Sequence, residues 1–149
     1  MPYDHLVKQG RLKAYSASPN EIQQLLRIST RDLNAAVKIL EVSPDWAYTM
    51  AYNAVLQACR ALILSEGFRT RGGEQHATVV AFVEERLGLS FATQVHQLDQ
   101  MHRKRHRVIY DVSGLIGKAE AEQAIIYAHD FLEQLQLIIT SQPGLDLNK

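Results

Sequence analysis

The sequence predicts an all-α fold, an antiparallel up-and-down helical bundle of four main helices plus a shorter helix. Three observations predict it. Apolar residues recur at three- and four-residue steps along most of the chain. Serine, proline and glycine fall at the ends of these periodic segments, where helices start and stop. No stretch reads convincingly as a strand, a repeat or a low-complexity tract. The length of 149 residues fits one domain whose core stands without staples. The bundle is expected over residues 18–140, after an N-terminal arm of residues 1–17 and before a flexible C-terminal tail of residues 141–149.

The first main helix opens at Ser18-Pro19-Asn20-Glu21, where Ser18 and Glu21 have capping-box spacing and Pro19 suits a first turn. Ile22, Leu25, Leu26, Leu33, Ala36, Val37 and Leu40 mark its buried face. Ser43-Pro44-Asp45 ends that helix and caps the next. The second helix, over residues 44–66, sets Ala47, Ala51, Ala54, Ala58 and Ala61 on one stripe, so a neighbouring helix can approach closely. Trp46, Met50, Val55, Leu62 and Ile63 supply bulk beside that stripe. Gly67 stops the helix, and residues 68–73 read as a basic, glycine-containing loop. A shorter third helix, residues 74–87, turns Val79, Val80, Phe82, Val83 and Leu87 inward. Gly88 closes it, and Ser90 is the expected cap of the fourth helix, residues 91–109, with Phe91, Val95, Leu98, Met101 and Ile109 on one face. Residues 112–117 form a break. The last helix, residues 118–140, presents Ile125, Leu132, Leu135 and Ile139 and then frays toward Pro143-Gly144.

Composition narrows the function classes. A hydrophobic fraction of 46% with 21% charged residues is that of an ordinary soluble globular protein. One cysteine, Cys59, excludes an internal disulfide framework and fits a reducing, cytosolic setting. Its Ala-rich surroundings favour a buried small hydrophobe over a nucleophile. The N-terminal stretch has no apolar h-region, so no signal peptide is expected. No run approaches the roughly 20 apolar residues of a membrane span. The expected address is the cytoplasm, with no membrane partner.

The run from His102 to Arg107 is the main handle on function. Arg103, Lys104, Arg105 and Arg107 place four positive charges beside His102 and His106, in a chain whose formal net charge is zero. On an ideal helical wheel centred on Leu98, Arg105 and Ile109 each lie about 20° away, so Arg105 points with the core stripe. Arg103 and Arg107 project the opposite way. Two readings stand open. In one, Arg105 snorkels or pairs with a buried acid and the other cations are a solvated face. In the other, the run is a polyanion site, because arginine suits bidentate phosphate contacts. His102 and His106 have i, i+4 spacing, but three arginines repel a cation and no carboxylate stands at a third ligand spacing. Neither a metal nor a cofactor is expected. Asp99 can pair with Arg103 at i, i+4 and steady the helix.

Several passages together resemble the HEPN family of prokaryotic helical domains. They are HLVKQGRLK at residues 5–13 leading into Glu21-Ile22 and LLRISTRDLNAAVKIL, then DWAYTMAYNAVLQACRALILSEGFR at residues 45–69, then His76, then RKRHRVIYD at residues 103–111. The resemblance covers about residues 5–140. It implies a bundle that commonly dimerises. In active members an arginine, four to six residues and a histidine form a composite site at the dimer cleft. Those members are metal-independent endoribonucleases, often toxins neutralised by a small nucleotidyltransferase encoded beside them. The motif arginine falls on Arg105, the polar residue that often follows it on His106, and the motif histidine on Tyr110.

Tyr110 is a departure with chemical weight. Internal attack of a 2′-hydroxyl needs a base and an acid, which an imidazole near pKa 6.5 can supply and a tyrosine near 10 supplies poorly. His102 or His106 is expected to stand in, with Arg105 stabilising phosphate charge. Arg105 and Tyr110 lie about 140° apart on the wheel and converge only if the helix ends between them or a second chain contributes. Arg69 and Arg71 also precede His76 by motif spacing, but in the loop after the second helix. His76 is expected to cap or pack the third helix, with Arg69 and Arg71 extending a basic surface. Trp46, Tyr48 and Tyr52 are expected in the core or a dimer contact rather than stacked on bases.

The expectation is a homodimeric protein binding RNA or nucleotide phosphate, ribonuclease-like with weakened or absent catalysis, in a toxin–antitoxin pair. The phosphate contacts are assigned to Arg103, Lys104 and Arg107 with Arg69 and Arg71, and the catalytic positions to Arg105, His106, Tyr110 and His102. The alternative is a non-catalytic helical interaction module whose basic run docks an acidic protein partner.

Overall fold

The computed structural model describes residues 3–73, 75–111, 114–142 and 145. The chain runs α1 (Asp4–Lys8), β1 (Leu12–Ala14), α2 (Pro19–Ile39), α3 (Pro44–Ser65), β2 (Phe68–Thr70), α4 (Gln75–Leu87), a single 3-10 turn (Leu89–Phe91), α5 (Ala92–Tyr110) and α6 (Lys118–Thr140). The all-α bundle predicted from periodicity is the fold observed.

Helix α3 is the centre of the molecule and packs against α2, α4, α5 and α6. Ala47, Ala51, Ala54, Ala58 and Ala61 are fully buried, as the stripe requires. Small side chains let backbones close in, while Val55, Leu62 and Ile63 fill the flanks. Facing them are Ile22, Leu26, Leu33 and Ala36 of α2 and Ala121, Ala124, Ala128, Leu132, Leu135 and Ile139 of α6. Ser18 and Glu21 form the capping box, Ser18 Oγ accepting from the Glu21 N–H at 3.2 Å and Glu21 Oε1 accepting from the Ser18 N–H at 3.2 Å. Ser43 Oγ accepts from the Trp46 N–H and starts α3. Gly67, at φ 93°, ends it in a conformation that side chains disfavour.

Four expectations are corrected. The N-terminal arm belongs to the core, since Tyr3, Leu6 and Leu12 are buried and Tyr3 stacks on Phe82 at 4.1 Å. Residues 68–70 are a strand rather than a loop, paired antiparallel with β1 in the register Leu12 to Thr70 and Ala14 to Phe68. Three residues are too few for an alternating pattern to register, and the pairing is local to this ribbon. Ser90 caps nothing: a 3-10 turn precedes α5, whose N-cap is Phe91 with no side-chain hydrogen bond. Val37 and Trp46 are 56% and 53% exposed instead of packed.

The segment after α5 is pinned to the start of α3. The Asp45 carboxylate accepts from the Gly114 N–H at 2.6 Å and the Ile116 N–H at 3.0 Å. The expected break at residues 112–117 lies partly outside the described residues, as does most of the expected tail at 141–149.

Candidate functional site

Helices α3, α4 and α5 bring one tyrosine and two histidines together. Tyr52 is buried on α3. Its Oη lies 2.8 Å from His76 Nδ1 on α4 and 3.1 Å from His102 Nδ1 on α5. The two imidazoles stack with centroids 3.7 Å apart and planes 11° from parallel. On its outer side His76 Nε2 faces Asp99 Oδ1 at 3.5 Å, and Asp99 also holds Arg103 at 2.9 Å.

Arg105 completes the group one turn along from His102. Its guanidinium carbon sits 5.3 Å from the centre of the Tyr52 ring, over the face, a cation–π contact. The side chain is half-buried, and its Nε is buried with no hydrogen-bond partner among the described residues. No carboxylate pairs with Arg105 there, so a buried acid does not explain it. Arg60, two turns along α3 from Tyr52, has a buried Nε in the same condition and reaches Gln75 Oε1 with Nη2 at 3.1 Å.

The electrostatics keep the two imidazoles and the phenol neutral. Burial, helped by His102, pushes His76 down to about 4. Burial and the Arg105 charge also lower His102. Burial raises Tyr52 to about 12, against the opposing charges of Arg105 and Arg60. At neutral pH two neutral imidazoles therefore sit beside a permanent cation.

The basic run divides in two. Arg103 is tied to Asp99, and Lys104 to Glu120 on α6. Arg107 and His106 are exposed, with no ion pair among the described residues. Helix α5 continues unbroken through Tyr110, which is 69% exposed and rests against the His106 ring at 4.7 Å. Within one chain Arg105 and Tyr110 thus do not converge. The candidate pair His102 and His106 also separates: His102 turns in toward Tyr52, His106 out toward Tyr110.

Arg69 and Arg71 lie on or next to β2. Arg69 stacks over Tyr15 at 5.3 Å, and it lines a groove of about 110 Å³ together with Arg60. Arg71 is exposed, its N–H donating to the Arg11 carbonyl. His76, expected only to cap or pack α4, is instead at the centre of the site, and Tyr52 is more than core filling. Tyr52 is in the core as expected, but its histidine contacts, like the places of His76 and Arg60, run between helices and leave no trace in periodicity. Among the described residues, three metal-ligand atoms gather only at His129, Asp130 and Glu133, all exposed on α6. Cys59 is fully buried and its thiol is pushed up to about 12, the hydrophobe expected. No helix is long and apolar enough to cross a membrane among the described residues.

Comparison with known proteins agrees with this architecture. A search of the curated proteins finds no match. The fold is similar to the crystal structure of TT1696 from Thermus thermophilus, with a TM-score of 0.63 and 20% identity over 79% of this chain and 98% of that one. The family model for the HEPN domain matches residues 22–138, which takes in every member of the Tyr52 cluster. The chain belongs to the HEPN family.

Proposed function

We propose that this HEPN protein binds single-stranded RNA through a backbone phosphate held at Arg105, as a ribonuclease-like member whose cleavage is weaker than an intact motif would give. One observation carries the reading. Arg105 is a half-buried cation over an aromatic face, without a counter-anion among the described residues and with neutral imidazoles beside it. Partial burial of an unpaired charge is unfavourable. An incoming phosphate relieves it and accepts the guanidinium fork in two parallel hydrogen bonds.

In this reading the exposed Tyr110, His106 and Arg107 lie where a second copy completes the cleft, so the working unit is a homodimer. Membership of the family supports pairing with a small nucleotidyltransferase that silences the site, and a cytoplasmic setting suits both. The alternative, a module docking an acidic protein, is favoured only by the free charge of Arg107. It is weakened because Arg103 and Lys104 already have partners.

The test is to incubate purified protein with end-labelled single-stranded RNA in EDTA, beside Arg105→Ala and Tyr110→Phe. Slow cleavage lost in Arg105→Ala and kept in Tyr110→Phe is the expected outcome. Absence of both binding and cleavage at low salt removes this reading in favour of the docking module.

A further inference from the structure

The hydrogen-bond arithmetic around Tyr52 goes further than phosphate binding. A phenol carries one proton, so Oη can donate to one imidazole nitrogen only. It faces two, His76 Nδ1 at 2.8 Å and His102 Nδ1 at 3.1 Å. One ring must therefore accept from Tyr52 while the other donates to it. The two rings are in opposite tautomers.

Asp99 decides which is which. Its carboxylate stands 3.5 Å from His76 Nε2, which is buried and makes no hydrogen bond among the described residues, so Asp99 acts on the ring by its charge. A lone pair turned toward that oxygen would be repelled, whereas an N–H is attracted, so His76 carries its proton on Nε2. Its Nδ1 then accepts from Tyr52, and Tyr52 Oη accepts from the Nδ1–H of His102. What is left over is His102 Nε2, an unprotonated lone pair on a half-buried ring one turn from Arg105. Burial and the Arg105 charge disfavour a second proton on His102 and so keep that ring neutral.

We propose that Asp99, His76 and Tyr52 are positioning residues that fix His102 in the Nδ1–H tautomer, making its Nε2 the general base of a site that lacks an imidazole at position 110. This rests on the phosphate reading of Arg105. The step is an internal transesterification. His102 Nε2 takes the proton of the 2′-hydroxyl, the O2′–P bond forms as the P–O5′ bond breaks, and the departing 5′ oxygen takes a proton from water. The products are a 2′,3′-cyclic phosphate and a 5′-hydroxyl, and His102 returns its proton to solvent. Arg105 stabilises the charge on the phosphoryl oxygens throughout.

The experiment is nitrogen-15 NMR of the imidazoles in the full-length, histidine-labelled protein at neutral pH, with RNA cleavage in EDTA measured on the same samples. The expected result is an Nε2–H pattern for His76 and an Nδ1–H pattern for His102. In Tyr52→Phe, which removes only the hydroxyl, His102 should revert to Nε2–H with the fold intact by circular dichroism. Cleavage should fall by roughly 10²-fold in His102→Ala, and by less in Tyr52→Phe. An Nε2–H pattern for His102 in the parent protein overturns the inference even where Arg105-dependent cleavage stands. The expected tautomers without RNA binding or cleavage overturn the phosphate reading, and with it the base role of His102.

Discussion

Each polar side chain in the Tyr52 cluster answers to a cost that its neighbours impose. His76 remains neutral in the folded protein because burial outweighs the attraction of Asp99, and its pKa falls to about 4 from an ordinary 6.5. In the unfolded chain it titrates near 6.5, so between pH 6.5 and 4 the unfolded state binds more protons. The stabilising contribution of a neutral His76 is then complete above pH 6.5 and is lost as pH falls toward 4. Chemical denaturation across that window should show stability declining with acidity, with a shallower decline in His76→Gln. Identical slopes for the two proteins would contradict the assignment. His102, Tyr52, Asp99 and Arg105 all face this ring, and they are unchanged in that variant.

At the scale of elements, the alanine stripe on α3 sets how closely α2 and α6 approach. Enlarging a fully buried member, as in Ala58→Leu, forces neighbours off their preferred rotamers and is expected to destabilise the fold by about 1–3 kcal/mol. Thermal unfolding measures it, and an unchanged midpoint would show slack that the full burial of Ala58 denies. Much of this level was legible in the sequence. Ser18 and Glu21 announce the start of α2, Ser43 and Pro44 the start of α3, and Gly67 its end, because caps and stops are written in neighbouring residues. The same rule gave a wrong cap at Ser90, where a 3-10 turn intervenes. It was silent about Leu12 to Ala14 and Phe68 to Thr70, whose pairing joins segments more than fifty residues apart. The Asp45 carboxylate that holds the Gly114 and Ile116 amides was equally invisible, since a helix-capping aspartate reads the same whatever it grips.

The candidate site was half legible at the level of the whole molecule. Arg105 stood out because a cation fell on an apolar face, and His102 because it stood beside that cation. Tyr52 and His76 did not, since only the packing of α3 against α4 and α5 brings them to His102. The same packing revises the charge available to a ligand. With Arg103 held by Asp99 and Lys104 by Glu120, the run offers Arg105 and Arg107 rather than all four cations. At roughly −0.7 in log–log slope per single-strand phosphate neutralised, RNA binding should show a salt slope near −1.4 per site. A slope near twice that would mean both ion pairs open when RNA binds.

The most direct measurement is a titration of a single-stranded oligonucleotide with 2′-deoxy sugars, which cannot undergo internal attack. Its affinity for the parent protein and for Arg105→Ala is read by fluorescence anisotropy in EDTA at low salt. A charge-assisted contact of about 1.5–3 kcal/mol predicts a loss of roughly 10- to 150-fold in the variant, with the fold intact. Equal affinity in the two proteins would show that Arg105 does not hold the phosphate.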